Sequence, residues 1–325
     1  MTKAIRIHAP GGPEALRWEE VSVGDPGPGE ARLKQTAVGL NYIDVYHRTG
    51  LYPLPALPAV IGLEAAAVVE AVGADVTEFK EGDRVAYAAP PPGAYAQARL
   101  MPADRLIKLP DAIDDRQAAA MMLQGMTVQY LIRRTYPVKK GDTVLFHAAA
   151  GGVGLIACQW LKHLGATVIG TVGSAEKAAL AKAHGCHHTI DYRHEDVAAR
   201  VRELTGGTGV PVVYDSVGKD TFEASLKSLQ PFGLLANFGS ASGPVPPFDL
   251  GRLAGLGSLY VTRPTLMTYT AKRSDLTASA RELFDVVQSG AVKIEINQTY
   301  PLAETAQAHR DLEARKTTGS TILLP

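Results

Sequence analysis

The chain has 325 residues, enough for one large domain or two of ordinary size. Lys and Arg total 33, Asp and Glu total 33, charged residues make 20% and apolar residues 46%. This balance argues against a long disordered chain and a basic nucleic-acid binder.

Apolar runs such as Val60-Ile61-Gly62-Leu63 stop well short of the ~18 residues a membrane span needs. The opening Met1-Thr2-Lys3-Ala4-Ile5-Arg6 has no apolar core of signal-peptide length. The two cysteines, Cys158 and Cys186, are too few for a disulfide scaffold or a four-thiolate zinc site. The expected location is the reducing cytoplasm, with no membrane insertion. The first stretch reads as short strands and turns. Residues 4–9, 30–37 and 65–72 are β-compatible, and Gly82-Asp83 turns into a strand over 84–87. Gly11-Gly12-Pro13-Glu14 and Pro26-Gly27-Pro28-Gly29-Glu30 are turn signals. A barrel-like β unit with little helix is expected.

Residues 115–134 read as a helix with apolar Met121, Met122, Met126, Leu131 and Ile132. From Thr143 onward strand, glycine turn and helix alternate. Strands are predicted over 143–147, 167–171, 188–192, 210–215, 234–238 and 258–262. Such alternation means a parallel sheet covered on both faces. A helix over 276–288 and a strand over 320–324 close the chain. The fold class is α/β with two domains, a β-barrel unit of residues 1–125 and 266–325 and a doubly wound unit of residues 126–265.

The strongest local signal is Thr143-Val144-Leu145-Phe146-His147-Ala148-Ala149-Ala150-Gly151-Gly152-Val153-Gly154. A strand runs through small residues into a helix whose apolar side carries Val153, Ile156, Ala157, Trp160, Leu161 and Leu164. Ala149, Gly151 and Gly154 have the spacing of a dinucleotide turn, with alanine where the stricter fingerprint has glycine. Gly151 lets backbone approach a pyrophosphate, Gly154 lets helix pack on strand, and free N–H groups at the helix start receive the anion.

An NAD site wants an acid about 20 residues further on, at the end of the second strand. That strand runs into Gly173-Ser174 with no acid. Ser174, Lys177 and Tyr192 offer a hydroxyl, an ammonium and a phenol, a set suited to a 2′-phosphate and hence to NADPH. Glu176 and Asp191 would oppose this if they pointed inward.

These residues and others in the same order make the chain resemble the zinc-independent quinone oxidoreductases, the zeta-crystallin type of the medium-chain dehydrogenase/reductase superfamily. The likeness includes Gly39-Leu40-Asn41-Tyr42-Ile43-Asp44, Arg48-Thr49-Gly50-Leu51-Tyr52-Pro53, Gly62-Leu63-Glu64-Ala65 and Gly93-Ala94-Tyr95. It continues through Gly125-Met126-Thr127, the dinucleotide turn, Tyr214-Asp215-Ser216-Val217-Gly218 and Arg263-Pro264-Thr265-Leu266. The resemblance implies a GroES-like barrel domain, a Rossmann domain, NADPH and a homodimer.

Zinc members of that superfamily carry Gly-His-Glu and cysteine ligands. Leu63 stands at the histidine position here, and leucine cannot ligate a metal. No zinc is therefore expected. His184-Gly185-Cys186-His187-His188 looks like a metal cluster but sits between a helix and a strand, where side chains diverge.

Carried over residue by residue, the resemblance assigns Asn41, Asp44, Tyr46, Arg48 and Tyr52 to the acceptor pocket. It assigns Asn41, Tyr42, Ile43, Tyr46 and Tyr130 to the cofactor. Gly151, Gly152 and Val153 face the pyrophosphate. Gly173, Ser174, Lys177, Tyr192 and Arg315 take the adenosine-phosphate side. Ser216 and Val217 end the fourth strand, and Phe238, Gly239, Ser240 and Ala241 end the fifth, where ligands gather. Arg263, Pro264, Thr265 and Leu266 match a cofactor and dimer-edge segment. The family commonly has glycine near Ala67, which the resemblance sets in a turn.

The expected activity is reduction of quinones by NADPH without zinc. The alternatives are reduction of an alkenal or enone double bond, or, from another class, a crystallin-like or AU-rich RNA-binding role. A net charge of zero gives nucleic-acid binding no support. No residue is marked as a general acid, and no Gly-x-Ser-x-Gly elbow is present.

Overall fold

A computed structural model describes residues 2–325. They form two compact units. The first takes residues 2–126, Thr270–Gln288 and Ile294–Pro325; the second takes Thr127–Tyr269 and Ser289–Lys293. The sequence reading turns back to the first unit at 266, whereas the compact units do so at Thr270. Ser289–Lys293 belong with the second unit because the Gln159 side chain donates to Lys293 O and accepts from Lys293 N, both at 2.9 Å.

The first unit begins with β1 (Thr2–Ile7), β2 (Arg17–Val21), β3 (Glu30–Leu40), β4 (Ala59–Val60), β5 (Glu64–Val72), β6 (Arg84–Ala88), β7 (Ala98–Pro102) and β8 (Ile107–Lys108). β3 alternates: Ala31, Leu33, Gln35 and Ala37 turn inward. Val38, Gly39 and Leu40 are then all buried while still paired with the strand Ser320–Leu324, so this end of β3 is covered on both faces. Gly39 is required there, because a Cβ would collide with the Glu64 carboxylate and the Ala119 carbonyl. Ala67 lies in the middle of β5, opposite Gln35 and Val85, and not in a turn. Its zero exposure explains why a small residue stands there.

The expectation of little helix misses α1 (Tyr42–Thr49). Tyr42, Ile43, Val45, Tyr46 and Thr49 favour strands by propensity. The ends decide otherwise. Asn41 is the extended N-cap, the Asp44 carboxylate accepts its backbone N–H at 2.9 Å, and Gly50 closes the helix at φ 81°. The single helix expected over 115–134 is also three pieces: α2 (Asp115–Ala119), α3 (Met122–Tyr130) and a π-turn over Leu131–Thr135.

The second unit holds β9 (Thr143–Phe146), α4 (Gly152–His163), β10 (Thr167–Val172), α5 (Ala175–Ala183), β11 (His188–Asp191), α6 (Val197–Leu204), β12 (Val210–Asp215), α7 (Phe222–Ser228), β13 (Leu229–Asn237), α8 (Gly251–Gly255), β14 (Tyr260–Thr262) and α9 (Leu266–Tyr269). Six parallel strands lie in the order β11-β10-β9-β12-β13-β14, the doubly wound arrangement. β13 starts five residues before the predicted strand and passes through Pro231, Phe232 and Gly233, with Phe232 at φ 60°. Leu155, Ile156, Trp160 and Leu161 bury the inner side of α4, at about 2 kcal/mol each.

The chain ends with α10 (Arg273–Gln288), β15 (Ile296–Pro301), α11 (Thr305–Glu313) and β16 (Ser320–Leu324). β16 pairs with β3 and completes the larger barrel sheet, β15-β16-β3-β5-β6-β8. Gly125 of α3 lies against Leu283 of α10, where a Cβ would collide with the leucine side chain. Among the described residues, no helix is long and apolar enough to cross a membrane.

Candidate functional site

The dinucleotide turn is built as its spacing requires. Gly151 is the N-cap of α4 and brings no side chain to the first-turn N–H groups. Those donors have no partner within the helix. A Cβ on Gly151 would press on the Ala148 carbonyl at 3.3 Å, so the glycine keeps the start of the helix free of side-chain atoms. A Cβ on Gly154 would collide with the Ala148 carbonyl and the Ala149 backbone. Gly154 leaves room for the turn, and Gly151 keeps side-chain atoms away from the helix start.

Sequence reasoning missed what holds this turn from beneath. His147 is 1% exposed and Asp215 is fully buried. Ser225 Oγ donates to Asp215 Oδ2 at 2.8 Å, and His147 Nε2 lies 3.0 Å from Ser225 Oγ. His147 Nδ1 lies 3.1 Å from Thr171 Oγ1, which accepts the Ala148 N–H at 3.2 Å. The network places the imidazole hydrogen on Nε2. Burial lowers the His147 pKa, so the ring is neutral. Serine, histidine and aspartate stand in line here, but the serine proton is committed to the aspartate. The chain instead fixes Ala148, which sits at φ 56° in the turn. A serine in α7 and a threonine in β10 carry no local signal of that role.

Of the residues expected on the adenosine side, Gly173, Ser174, Lys177 and Tyr192 come together. A Cβ on Gly173 would meet the Tyr192 hydroxyl at 2.5 Å. Ser174 caps α5 and accepts the Lys177 N–H at 3.3 Å. Tyr192 lies one residue beyond β11, which ends at Asp191. Glu176 is exposed. Asp191 is turned to its own loop: Oδ2 lies 2.9 Å from His194 Nδ1, and Oδ1 accepts the Arg193 N–H at 3.0 Å. The histidine contact holds that carboxyl below the usual range. Arg315 belongs to the first unit, beyond α11 at φ 58°, and its charge acts on Tyr42.

At the carboxyl ends of the strands, Phe238 and Gly239 donate their N–H groups to Asp215 O, and Ala241 donates to Ser216 O. This joins Ser216 and Val217 to Phe238, Gly239, Ser240 and Ala241. β13 ends at Asn237, so all four residues lie in the loop rather than in the strand. Arg263, Pro264, Thr265 and Leu266 follow β14, and Arg263 donates to Asn237 O at 3.1 Å. Tyr130 stacks on Tyr269 with ring centroids 4.4 Å apart, a partner the sequence did not mark.

His187 Nδ1 accepts the Val168 N–H, His184 Nδ1 lies against Leu180 O, and the Cys186 thiol lies 3.1 Å from His188 O. The histidine-rich run therefore faces three separate backbone sites. Among the described residues no group of three His, Cys, Asp or Glu could hold a metal ion.

In the first unit, α1 gathers the expected pocket residues. Tyr46 lies 5.9 Å from Tyr42 and 5.0 Å from Tyr52, centroid to centroid. Asp44 and Arg48 differ from the other expected pocket residues. Asp44 is fully buried, with Oδ2 accepting from Asn41 N at 2.9 Å and from the Tyr95 hydroxyl at 2.8 Å. Burial pushes its pKa up to about 7. Arg48, 1% exposed, donates to both Glu313 oxygens and lies 3.3 Å from His309 Nδ1. Both residues hold α1 in place. Asn41, 6% exposed, donates to Glu64 at 2.6 Å.

The family model described as alcohol dehydrogenase GroES-like domain matches residues 27–111, and the one described as zinc-binding dehydrogenase matches residues 152–284. The chain is 57% identical to the quinone oxidoreductase of Pseudomonas aeruginosa over 325 residues, covering all of both chains. It is 51% identical to a 2-haloacrylate reductase of a Burkholderia species, covering all of this chain and 99% of that one. The solved structure of Escherichia coli quinone oxidoreductase complexed with NADPH matches with a TM-score of 0.98 at 50% identity. It covers 99% of this chain and all of that one.

Proposed function

Because the chain belongs to the quinone oxidoreductases of the medium-chain dehydrogenase/reductase superfamily, we propose that it passes reducing equivalents from NADPH to quinones. The end-to-end match to quinone oxidoreductases carries this reading. The side-chain-free N-cap Gly151 leaves the first-turn N–H groups of α4, with Gly152 and Val153, to receive a pyrophosphate. Ser174, Lys177 and Tyr192 fit a 2′-phosphate. When bound, the nicotinamide supplies the reducing equivalents. Asn41, Tyr42, Ile43, Tyr130 and Arg263 are assigned to it, and Tyr46 and Tyr52 to the acceptor. These residues orient the partners and exclude water, because a quinone is already electrophilic and asks for positioning more than a strong base.

Zinc does not fit this donor set. Leu63 is apolar and 3% exposed, and the neighbouring Asn41, Glu64 and Gln124 are hydrogen-bonded to one another or to backbone. Both cysteines are buried in the other unit. The reaction proposed here is therefore independent of zinc.

The protein is proposed to act as a homodimer in the cytoplasm. β14 is the edge of the parallel sheet, with Tyr260 62% exposed on it and Phe232 71% exposed on the neighbouring strand. Light scattering of the purified protein should give twice the chain mass.

Oxidation of NADPH and NADH, followed with a small quinone and with an activated alkene in the presence of EDTA, tests the activity. Turnover of quinone with NADPH, unaffected by EDTA, is expected. Turnover confined to the alkene would move the assignment to double-bond reduction, and loss with EDTA would overturn the zinc-free reading.

A further inference from the structure

Glu64, Asn41, Gln124 and Ser320 form a buried file in the first unit, with exposures of 0%, 6%, 6% and 2%. Asn41 Nδ2 lies 2.6 Å from Glu64 Oε2, Gln124 Nε2 lies 3.3 Å from Asn41 Oδ1, and Gln124 Oε1 lies 2.7 Å from Ser320 Oγ. At one end Glu64 Oε1 accepts the Leu123 N–H at 2.8 Å. At the other, Ser320 Oγ also lies 2.8 Å from Ala120 O. Ser320 thus has one hydroxyl hydrogen and two acceptors within reach.

The two ends of an amide have nearly the same shape, so the file closes in either direction. With Glu64 ionised, Asn41 donates to Glu64, Gln124 to Asn41, and Ser320 to Gln124. With Glu64 neutral, its O–H donates to Asn41 Oδ1 and Asn41 Nδ2 donates to Gln124 Oε1. Gln124 Nε2 then donates to Ser320, and Ser320 donates to Ala120 O. Within the file the same contacts serve both states; two amides turn over, one hydroxyl rotates, and the turned Asn41 amide gives up the Asp44 N–H that its oxygen accepts in the capping box.

We propose that Glu64 is a positioning residue whose protonation sets which way the Asn41 amide faces. Turning the amide exchanges the places of its remaining N–H and its remaining lone pair, and so changes what Asn41 offers a ligand. The proposal rests on the assignment of Asn41 to the cofactor and acceptor site. Burial pushes the Glu64 pKa up to about 8 against the pull of the Asn41 and Leu123 donors, so both forms are accessible near neutral pH. Besides those donors, the Asp44 charge raises Glu64 further and the Met122 N–H lowers it, while the Glu64 charge in turn raises the phenols of Tyr87 and Tyr95.

Glu64→Gln makes the file one-directional. The new carbonyl must accept the Leu123 N–H, so the new NH2 donates to Asn41 and the neutral direction is locked. Quinone kcat/KM and NADPH Kd are measured from about pH 6 to about pH 9.5 on wild type and E64Q. Wild-type kcat/KM should change by about three- to tenfold, the worth of one hydrogen bond, while E64Q stays flat at the wild-type low-pH value. A step retained in E64Q, as titration of Asp44 would produce, overturns the proposal. So does a flat profile at the high-pH value.

Ser320→Ala removes two bonds from the neutral direction and one from the ionised direction, so the midpoint should move to lower pH. An unmoved midpoint overturns the proposal even if E64Q fails to fold. If neither variant folds, the file is core structure and the proposal falls. Asn41→Ala separates the premise: unchanged NADPH affinity and kcat/KM in that variant reject the ligand role of Asn41 itself.

Discussion

Arg48 and Glu313 meet in a two-bond fork, Nη2 to Oε1 at 2.8 Å and Nη1 to Oε2 at 2.9 Å, which ties α1 to α11. The pair is unequal: the Arg48 side chain is 1% exposed and the Glu313 side chain 34%. Loss of the arginine lets the glutamate turn to water. Loss of the glutamate charge leaves a buried guanidinium without its anion. Glu313→Gln should therefore cost about 2–4 kcal/mol and Arg48→Met about 1–2 kcal/mol. Urea unfolding of the two variants checks this, and the reverse order would reject the account.

The two glycines of the dinucleotide turn should fail in different ways. Gly151→Ala sets a methyl 3.3 Å from the Ala148 carbonyl, which a shift of a few tenths of an ångström relieves, so stability should fall by no more than about 1 kcal/mol while NADPH affinity falls about tenfold or more. Gly154→Ala drives a methyl into the Ala148 carbonyl and should destabilise by about 2–4 kcal/mol. Thermal melts and fluorescence titrations with NADPH separate the two effects.

Lys177→Ala should weaken NADPH by about ten- to a hundredfold, the value of a charge-assisted hydrogen bond, and NADH by no more than about twofold. Equal losses for the two nucleotides in a binding titration would remove the 2′-phosphate from this corner of the fold.

Asp44 and His309 should bend stability in opposite directions with pH. They share one phenol: the Tyr95 hydroxyl donates to Asp44 at 2.8 Å and lies 3.1 Å from His309 Nε2. The Asp44 pKa, about 7 in the folded protein, lies above its ordinary value of 3.8. Its contribution is full below about pH 4 and is lost as pH rises through 7. Burial, aided by the Arg48 charge, lowers His309 from 6.5 to about 3. Its contribution is full above about pH 6.5 and is lost as pH falls toward 3.

Unfolding free energies of Asp44→Asn and His309→Gln, taken relative to wild type across this range, should therefore slope oppositely by about 1–3 kcal/mol. Parallel slopes would reject the buried-neutral assignment of both groups.

Most of the second unit was legible from local pattern. Val210–Asp215 was read to the residue because apolar strand residues bounded by turn signals admit one interpretation. α1 was not, because its Tyr, Ile and Val favour strands while Asn41, Asp44 and Gly50 specify the helix from its two ends. The break between α2 and α3 was hidden for a different reason. α2 is too short, at five residues, to show a period, and α3 is buried on nearly every side, so periodicity carries no phase across the break.

The site divides in the same way. The glycines at 151 and 154 and the group at 173, 174 and 177 stand out in the sequence because short-range backbone geometry marks them. Asn41 was visible as a residue, but its partners Glu64, Gln124 and Ser320 lie 23, 83 and, through Gln124, a further 196 positions away. Local sequence determined the order of elements, the dinucleotide turn and the lack of thiolate or imidazole at position 63. Only tertiary structure decided what the buried polar groups do, because a hydrogen-bond partner is selected by position in space and leaves no periodic trace along the chain.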